Sequence, residues 1–184
     1  MAVSSKSYPL GLDAVIDFVN TREPRVGTDE LETPGELGAW LSQRGLLARS
    51  ARVSEADRAQ AVGLREALRA LVLAHNGGPE RPAASRALER AARRGGLGLH
   101  FTDEGTVAAV PAEQGVDGAL ARLLVPVAEA MRSGEWARVK ACRAPDCHWA
   151  FLDRSRNRSG VWCDMAECGN RTKVRAYRRR TRRG

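Results

Sequence analysis

The sequence predicts a mainly α (α+β) protein, with a helical N-terminal domain that contains one β-hairpin and a small C-terminal module. Three observations support this prediction. Apolar residues recur at helical spacing through most of residues 1–134. In residues 97–110 they alternate instead, as they do in a β-hairpin. All four cysteines of the 184-residue chain fall in its last quarter. Ser133 and Gly134 end the last predicted helix of the N-terminal domain, so we place a domain boundary after Gly134 and the module in residues 135–184.

The first two predicted helices have clear signals. The first covers residues 9–20, and its apolar residues share one face: Leu12, Val15, Ile16 and Val19. The second should begin after Thr33, which offers an N-cap hydroxyl. Pro34 then stands at the first helical position, and Glu36 can complete a capping box. Gly45 is placed to end this helix.

The rest of the N-terminal domain is predicted to be three helices and the hairpin. Ser54 should cap the longest helix, and residues 82–94 form another amphipathic segment. Residues 97–110 follow as the hairpin, with turn-forming residues at its centre. Residues 116–132 then return to helical spacing.

The cysteines form two short-spaced pairs, Cys142-x4-Cys147 and Cys163-x4-Cys168. Two such pairs of thiolates are typical of a structural zinc site, in which the protein fills all four coordination positions. We therefore predict one structural Zn2+ as the cofactor, with these four cysteines as its ligands. His148 is an alternative ligand in place of one thiolate, or else a hydrogen-bond or phosphate contact.

Disulfides are the alternative use of the cysteines. Disulfide-bonded domains are mostly secreted and spread their cysteines along the chain. The residues after Met1 lack the uninterrupted apolar run of a secretory signal and soon reach Lys6 and Asp13. A reducing cytosol is therefore the expected compartment.

The C-terminal module is predicted to be a treble-clef-like zinc finger. Apolar and aromatic residues flank a polar turn at residues 153–160 and predict a β-hairpin: Trp149, Phe151, Val161 and Trp162. No helix breaker follows Gly169, so a basic C-terminal helix should carry Cys168 in its first turn. We call the turn between Cys142 and Cys147 the knuckle. A knuckle, a hairpin and a helix in this order form a treble clef. Because the module is too small for a core of its own, zinc should be its main stabiliser.

The net charge of +8 is concentrated in the module. Residues 138–184 contain 14 basic and 4 acidic residues, whereas residues 1–137 contain 16 basic and 18 acidic ones. This concentration of positive charge indicates a polyanionic partner, because Lys and Arg near phosphates displace condensed counterions.

The candidate nucleic-acid contacts lie on the predicted helix and in the hairpin turn. They are Arg171, Lys173, Arg175, Arg178, Arg179, Arg180 and Arg182 on the helix, and Arg154, Arg156 and Arg158 in the turn. On a helical wheel five of the arginines share one broad face, and a narrower stripe with Val174 and Tyr177 should pack inward. These five are Arg171, Arg175, Arg178, Arg179 and Arg182. The alternatives are a solvated helix face or a disordered cationic tail, and a solubilising loop for the turn.

The motifs around the cysteines also carry a family resemblance. Cys168-Gly169-Asn170-Arg171 resembles the tetrapeptide for which CGNR zinc finger proteins are named. Residues 12–21 resemble the opening motif of the ABATE domain, which usually precedes that finger. The similarity to the finger extends to further segments: residues 149–153, 155–157, 162–163 and 173–178. The resemblance implies a prokaryotic, stress-induced transcription regulator whose finger binds DNA and whose ABATE domain senses a ligand or forms a homodimer.

Three polar residues at the end of the first helix are candidates for a small-molecule effector pocket. They are Asp17, Asn20 and Thr21. The alternative is that they cap the helix end and satisfy nearby backbone groups.

The predicted function is a zinc-dependent, DNA-binding transcription regulator whose partner is duplex DNA. An RNA-binding protein is one alternative, since exposed Trp149 or Trp162 would stack on unpaired bases. An adaptor for an acidic protein partner is another. An enzyme is not expected, because the sequence has no glycine-rich phosphate loop, nucleophile–base pair or open metal position. No stretch approaches the roughly 20 apolar residues of a membrane span, so we expect a soluble protein. With duplex DNA as the predicted partner, the expected location is cytoplasmic and nucleoid-associated.

Overall fold

The computed structural model describes residues 10–181 of the chain. Its helices are α1 (Leu12–Asn20), α2 (Pro34–Gln43), α3 (Glu55–Ala74), α4 (Pro82–Arg94), α5 (Gly115–Ser133) and α6 (Asn170–Thr181). Its strands are β1 (Arg22–Glu23), β2 (Thr28–Asp29), β3 (Leu97–Phe101), β4 (Val107–Pro111), β5 (Val139–Ala141) and β6 (Ala150–Leu152). The strands pair consecutively into three antiparallel two-stranded sheets. Within the described residues these elements confirm the mainly α class.

The starts of α2 and α3 follow the capping signals of the sequence. The Thr33 hydroxyl accepts a hydrogen bond from the Glu36 backbone N–H at 3.2 Å, and the Glu36 carboxylate accepts one from the Thr33 N–H at 2.8 Å. Ser54 and Asp57 form the same reciprocal pair at the start of α3. Each box satisfies donors that the first helical turn leaves without an intrahelical partner. Both predicted caps are confirmed.

One hydrophobic core joins the helical part of the chain to the C-terminal module. Helices α1, α2, α3 and α5 bury their apolar faces together, with Phe18, Leu68 and Leu123 almost fully enclosed. The same core includes Trp136, which precedes β5, and residues of the β5–β6 sheet: Val139, Ala141 and Ala150. The C-terminal module is therefore packed on the helical part. The domain boundary after Gly134 stays a prediction.

A short hairpin that the sequence did not predict lies between α1 and α2. Strands β1 and β2 have two residues each and lack an alternating pattern. A buried ion pair fastens them to α3: Arg65 donates to both carboxylate oxygens of Asp29, at 2.6 and 2.8 Å. Such paired, charge-assisted contacts fix the position of both groups. Although burial opposes it, the hydrogen bonding from Arg65 lowers the pKa of Asp29.

The strand pairing in the C-terminal module differs from the prediction. We expected residues around Phe151 to pair with Val161 and Trp162, but β6 pairs with β5, so that Ala150 lies opposite Ala141. The Val161 carbonyl instead accepts a hydrogen bond from the Arg143 backbone N–H at 3.2 Å. A backbone carbonyl used in this way holds the segment before Cys163 against the first cysteine pair.

Candidate metal centre and basic surface

The four cysteines come together at the junction of β5, β6 and α6. Cys142 directly follows β5, and Cys147 lies shortly before β6. Cys163 lies beyond the 153–160 turn, and Cys168 lies in a π-helical turn, Met165–Gly169, that leads into α6. The four Sγ atoms all lie within 4.8 Å of one another, and none is in a disulfide.

The sulfur geometry fits one tetrahedral zinc ion. Zn–S bonds of about 2.3 Å place the sulfurs of a tetrahedron about 3.8 Å apart. The Sγ atoms of Cys147 and Cys163 are separated by 3.7 Å, as are those of Cys163 and Cys168. The four cysteines in the finger region could thus hold one zinc ion, and a full set of four thiolates leaves no position for a reacting group.

The electrostatics of the cluster also call for a cation. Burial and the neighbouring Cys142 charge raise the pKa of Cys163 to about 12. The hydrogen bond with Cys142 and burial also raise the pKa of Cys147, while the same bond lowers the pKa of Cys142 to about 5. Among protein groups alone, a charge on Cys142 therefore opposes ionisation of Cys147 and Cys163. A divalent cation would stabilise four thiolates together, as zinc does.

Arg171 lies against the cysteine cluster. Its Nη2 donates to the Cys168 sulfur at 3.3 Å and lies 3.6 Å from the Asp146 carboxylate. Arg175 contacts the other oxygen of Asp146 at 3.1 Å, and although burial opposes it, this hydrogen bond lowers the pKa of Asp146. Asp146 was not among the predicted site residues, although its place between Cys142 and Cys147 in the knuckle was a usable signal. The nucleic-acid contact predicted for Arg171 remains untested.

The rest of α6 is exposed to solvent and basic. Its exposed cations are Lys173, Arg175, Arg178 and Arg180. The described residues do not include the side chain of Arg179 or any part of Arg182. Val174 and Tyr177 are exposed as well, so the prediction that they pack inward is wrong. Neither residue belongs to a hydrophobic cluster of the described residues.

The second group of candidate contacts lies in the 153–160 turn. Arg154, Arg156 and Arg158 are all exposed there. The turn is closed from inside by Lys140, whose buried Nζ contacts the Asp153 carboxylate at 2.7 Å and the carbonyls of Arg158 and Gly160.

Asp153 completes this closure. It accepts backbone hydrogen bonds from Ser155 at 2.9 Å and Gly160 at 2.8 Å. Burial opposes ionisation, but hydrogen bonds from Lys140 and Ser155 outweigh it and lower the pKa of Asp153. We call the pair of Lys140 and Asp153 the loop clamp.

Comparison with known families assigns both parts of the chain. Residues 12–133 match the model of the ABATE family, described as "Putative stress-induced transcription regulator". Residues 138–181 match the model of the CGNR zinc finger. The chain belongs to the ABATE family. A search of curated proteins gave no match. Within residues 10–181, no helix has the length and apolar character needed to cross a membrane.

Side chains of the ABATE segment hold the CGNR finger by hydrogen bonds to backbone groups of the finger. Asn20 forms two hydrogen bonds with Ala150, donating to its carbonyl at 2.9 Å and accepting from its N–H at 2.8 Å. Asn76 donates to the carbonyls of Ala141 and Val161, both at 2.8 Å. The amide of Asn20 thus satisfies both backbone groups of Ala150, and the amide of Asn76 satisfies the carbonyls of Ala141 and Val161.

A buried guanidinium completes this docking. Arg69 of α3 donates to the carbonyl of His148 at 3.1 Å and to those of Val19 and Arg22. Burial lowers the pKa of Arg69, although Glu66 lies 3.2 Å away and opposes the shift. His148 itself has a positive φ of 54°, a conformation seldom adopted by residues other than glycine, at the point where the chain leaves Cys147. One cation thereby joins α1, β1 and the knuckle.

The structure places the three candidate pocket residues in different surroundings. Asn20 is engaged with Ala150, and the buried Thr21 hydroxyl donates to the Phe18 carbonyl at 2.8 Å. Asp17 is exposed and lies 3.5 Å from Arg44. A cavity of about 500 Å³ lies elsewhere, beside α2 and residues 49–53. An effector pocket at these three residues stays a prediction.

Proposed function

We propose that the protein is a zinc-dependent transcription regulator in which α6 and the 153–160 turn of the CGNR finger bind duplex DNA. The observation that carries this proposal is the position of the exposed cations. Lys173, Arg175, Arg178 and Arg180 lie on a helix that starts directly at the cysteine cluster. The zinc, when bound, would supply a rigid cross-link between the knuckle and the start of this helix.

The dimensions of α6 suit a DNA groove. Its 12 residues rise about 1.5 Å each and give a helix about 18 Å long. The major groove of B-DNA admits a helix of this kind. Contacts from Lys and Arg to phosphates would orient α6 there, while base recognition would need other contacts.

The loop clamp supports a second set of phosphate contacts. Lys140 and Asp153 contact each other, and the Lys140 Nζ also donates to the backbone of the turn. The turn is thus held from inside, and its three arginines are exposed: Arg154, Arg156 and Arg158. A turn already closed before binding loses less conformational entropy when it meets DNA.

The proposal is tested by fluorescence anisotropy of the zinc-loaded protein with a labelled duplex over a salt series. Affinity should fall as salt rises, with a slope of about −0.9 in log K against log salt for each phosphate contact. Arg178→Ala together with Arg180→Ala should lower the magnitude of that slope by about two. Chelation of zinc should abolish the binding, because the start of α6 is then no longer cross-linked to the other cysteines.

The matched control is Arg86→Ala together with Arg90→Ala, which removes two exposed arginines from α4. This control should keep the wild-type slope. An affinity that does not change with salt, or an equal change in both double variants, contradicts the proposal. Stronger competition by single-stranded RNA would indicate the RNA-binding alternative. A protein partner that stays bound after nuclease treatment would indicate the adaptor.

The finer roles of the ABATE segment also stay proposals. The family description supports a stress response, and the DNA-binding role supports association with the nucleoid. Ligand sensing and homodimer formation rest only on the family resemblance of the sequence. A small-molecule effector should change the DNA affinity of the intact protein in the same anisotropy assay.

A further inference from the structure

One face of α6 carries exposed residues that are not cations. Asn170, Val174, Tyr177 and Thr181 follow one another at intervals of four, three and four residues, so they share one face of the helix. All four are exposed to solvent. We call these four residues the outer face.

The packing of α6 turns the outer face away from the rest of the protein. Thr172 and Ala176 lie on the opposite side of the helix, and both are half-buried. Arg171 and Arg175, which lie next to that side, contact Asp146 of the knuckle. Since the opposite side of α6 lies against the protein, the outer face is open to a partner.

Two large apolar side chains lie on the outer face. The exposed fractions are 47% for Val174 and 63% for Tyr177. They are three residues apart and therefore neighbours on the helix surface. Single exposed apolar residues are common on proteins, so the charges around this pair decide which partner fits.

Cations line both edges of the outer face. On a helical wheel Arg178 lies on one edge, and Lys173 and Arg180 lie on the other. The helix contains no Asp or Glu. The major groove of duplex DNA has the complementary arrangement, because its floor of base edges lies between two phosphate backbones. The two edges suit phosphates, and the outer face suits the base edges between them.

The acidic groups beside α6 are engaged within the protein. Asp146 contacts Arg175 at 3.1 Å. Just before the helix, the Asp164 carboxylate accepts a hydrogen bond from the Glu167 backbone N–H at 2.7 Å, and the Glu167 carboxylate contacts Arg25 at 3.1 Å. These carboxylates therefore compete little with DNA for the cations on the two edges.

We propose that the outer face of α6 reads base pairs in the major groove, with Asn170 on an adenine and with Val174 and Tyr177 on thymine methyl groups. The amide of Asn can bond to both N6 and N7 of adenine, and apolar side chains contact the C5-methyl group of thymine. The inference rests on the proposed DNA binding and adds to it a preference for A·T base pairs.

The spacing of the three side chains fits a short sequence element. Residues 170 to 177 rise about 10 Å along the helix axis, at about 1.5 Å per residue. Successive nucleotides of one strand of B-DNA are about 3.4 Å apart. The preferred sequence should therefore contain about three consecutive A·T pairs.

The test starts with selection of duplexes from a random library by the zinc-loaded full chain. The wild type should enrich an A·T element of about three base pairs. Fluorescence anisotropy then compares the enriched duplex with one in which G·C pairs replace the element. Asn170→Ala and Val174→Ala should each lower this affinity ratio at least about fivefold. Both should keep the wild-type salt slope, because the phosphate contacts remain.

Two control variants separate base reading from other effects. Val107→Ala makes the same substitution at an exposed valine of β4 and should keep the wild-type ratio. Arg178→Ala removes a phosphate contact, so it should lower the salt slope and keep the ratio. Circular dichroism and zinc content establish that each variant is folded and loaded.

Replacement of thymine by uracil tests the methyl contacts without changing the protein. Uracil lacks the C5-methyl group, so replacement at a contacted position should weaken wild-type binding about threefold to fivefold. At the thymine that Val174 contacts, the same replacement should cost Val174→Ala almost nothing further, because the contact is already lost.

Failure of the base reading is distinguishable from failure of the DNA binding. Salt-dependent binding with equal affinity for every sequence would overturn the base reading and leave the proposed DNA binding intact. Enrichment of G·C elements, uracil replacement without effect, or a wild-type ratio in both outer-face variants would also overturn it. Absence of salt-dependent binding to any duplex would overturn both proposals.

Discussion

At the scale of single residues, Arg171 joins the metal centre to the basic helix. Its guanidinium contacts the Cys168 sulfur and the Asp146 carboxylate, so its charge balances groups inside the module. Outer contacts of this kind orient metal ligands and stabilise their charge. Arg171 is thus a positioning residue for the cysteine cluster, whatever its role toward DNA.

Replacing Arg171 should weaken zinc binding. We expect Arg171→Ala to lower the zinc affinity about 10- to 100-fold, because the Cys168 thiolate loses its cationic neighbour. Competition with a chromophoric chelator measures this change. Arg178→Ala is the control, since Arg178 lies two turns further along α6, and it should retain the wild-type affinity. Equal affinities in Arg171→Ala and the wild type would contradict the role given to this contact.

The residue types at the metal centre were predictable, but their contacts were not. Four cysteines in two pairs indicate zinc by their chemistry alone, and their sulfurs come together as expected. Arg171 looked like any other arginine of a basic helix, because helical spacing cannot show which cation faces the sulfurs. Asn20 and Ala150 are 130 residues apart, and no local pattern links an amide to so distant a backbone.

At the scale of elements, the capping signals were reliable, whereas the strand patterns predicted the pairing of one hairpin correctly and that of the other wrongly. Capping residues act on backbone within one turn, so Thr33 and Ser54 could be identified directly. Strand pairing in the finger depends on residues outside the 149–162 segment, and β6 pairs with β5 rather than with the residues around Val161. Alternation in β3 and β4 predicted the hairpin correctly, but it carried no information on whether the apolar face is covered.

The loop clamp gives a prediction at the same scale. Lys140→Met leaves the buried Asp153 charge without its partner and should lower the free energy of unfolding by about 3 to 5 kcal/mol. Chemical denaturation measures this loss. Lys173→Met removes an exposed cation and is the matched control, with little expected change. A wild-type unfolding free energy in Lys140→Met would contradict the clamp.

The clamp also predicts a dependence of stability on pH. The folded protein lowers the pKa of Asp153 below its value of about 3.9 in unfolded chains. The stabilisation is therefore complete above about pH 4 and is lost as the pH falls through the folded pKa. Asp153→Asn should show a smaller loss of stability on acidification than the wild type. Denaturation curves between neutral and acid pH compare the two, and identical acid profiles would contradict this contribution.

At the scale of the whole molecule, the shared core ties the stability of both segments to zinc. Trp136, Val139 and Ala150 pack in the same core as α1, α3 and α5. A finger loosened by loss of zinc would open this core. We expect the zinc-loaded protein to unfold in one cooperative transition, and chelation should lower the midpoint measured by the helical signal.

Thermal melts followed by circular dichroism at the helical band test this coupling. Added zinc in excess of the chelator should return the midpoint to its starting value, which controls for effects of the chelator itself. A helical transition whose midpoint does not change on chelation would show that the segments unfold independently. Two separate transitions in the zinc-loaded protein would show the same.

The backbone contacts made by Asn20, Arg69 and Asn76 have a consequence for protein engineering. Many zinc fingers work as interchangeable cassettes that can be strung together, because each folds around its own metal. In this chain the strands and the Cys142–Cys147 turn of the CGNR finger are held by amide and guanidinium groups that belong to the ABATE segment. Grafting residues 138–181 onto a foreign protein would leave those backbone groups without partners. A transplantable version of this finger must therefore include Asn20, Arg69 and Asn76, together with the segments that position them.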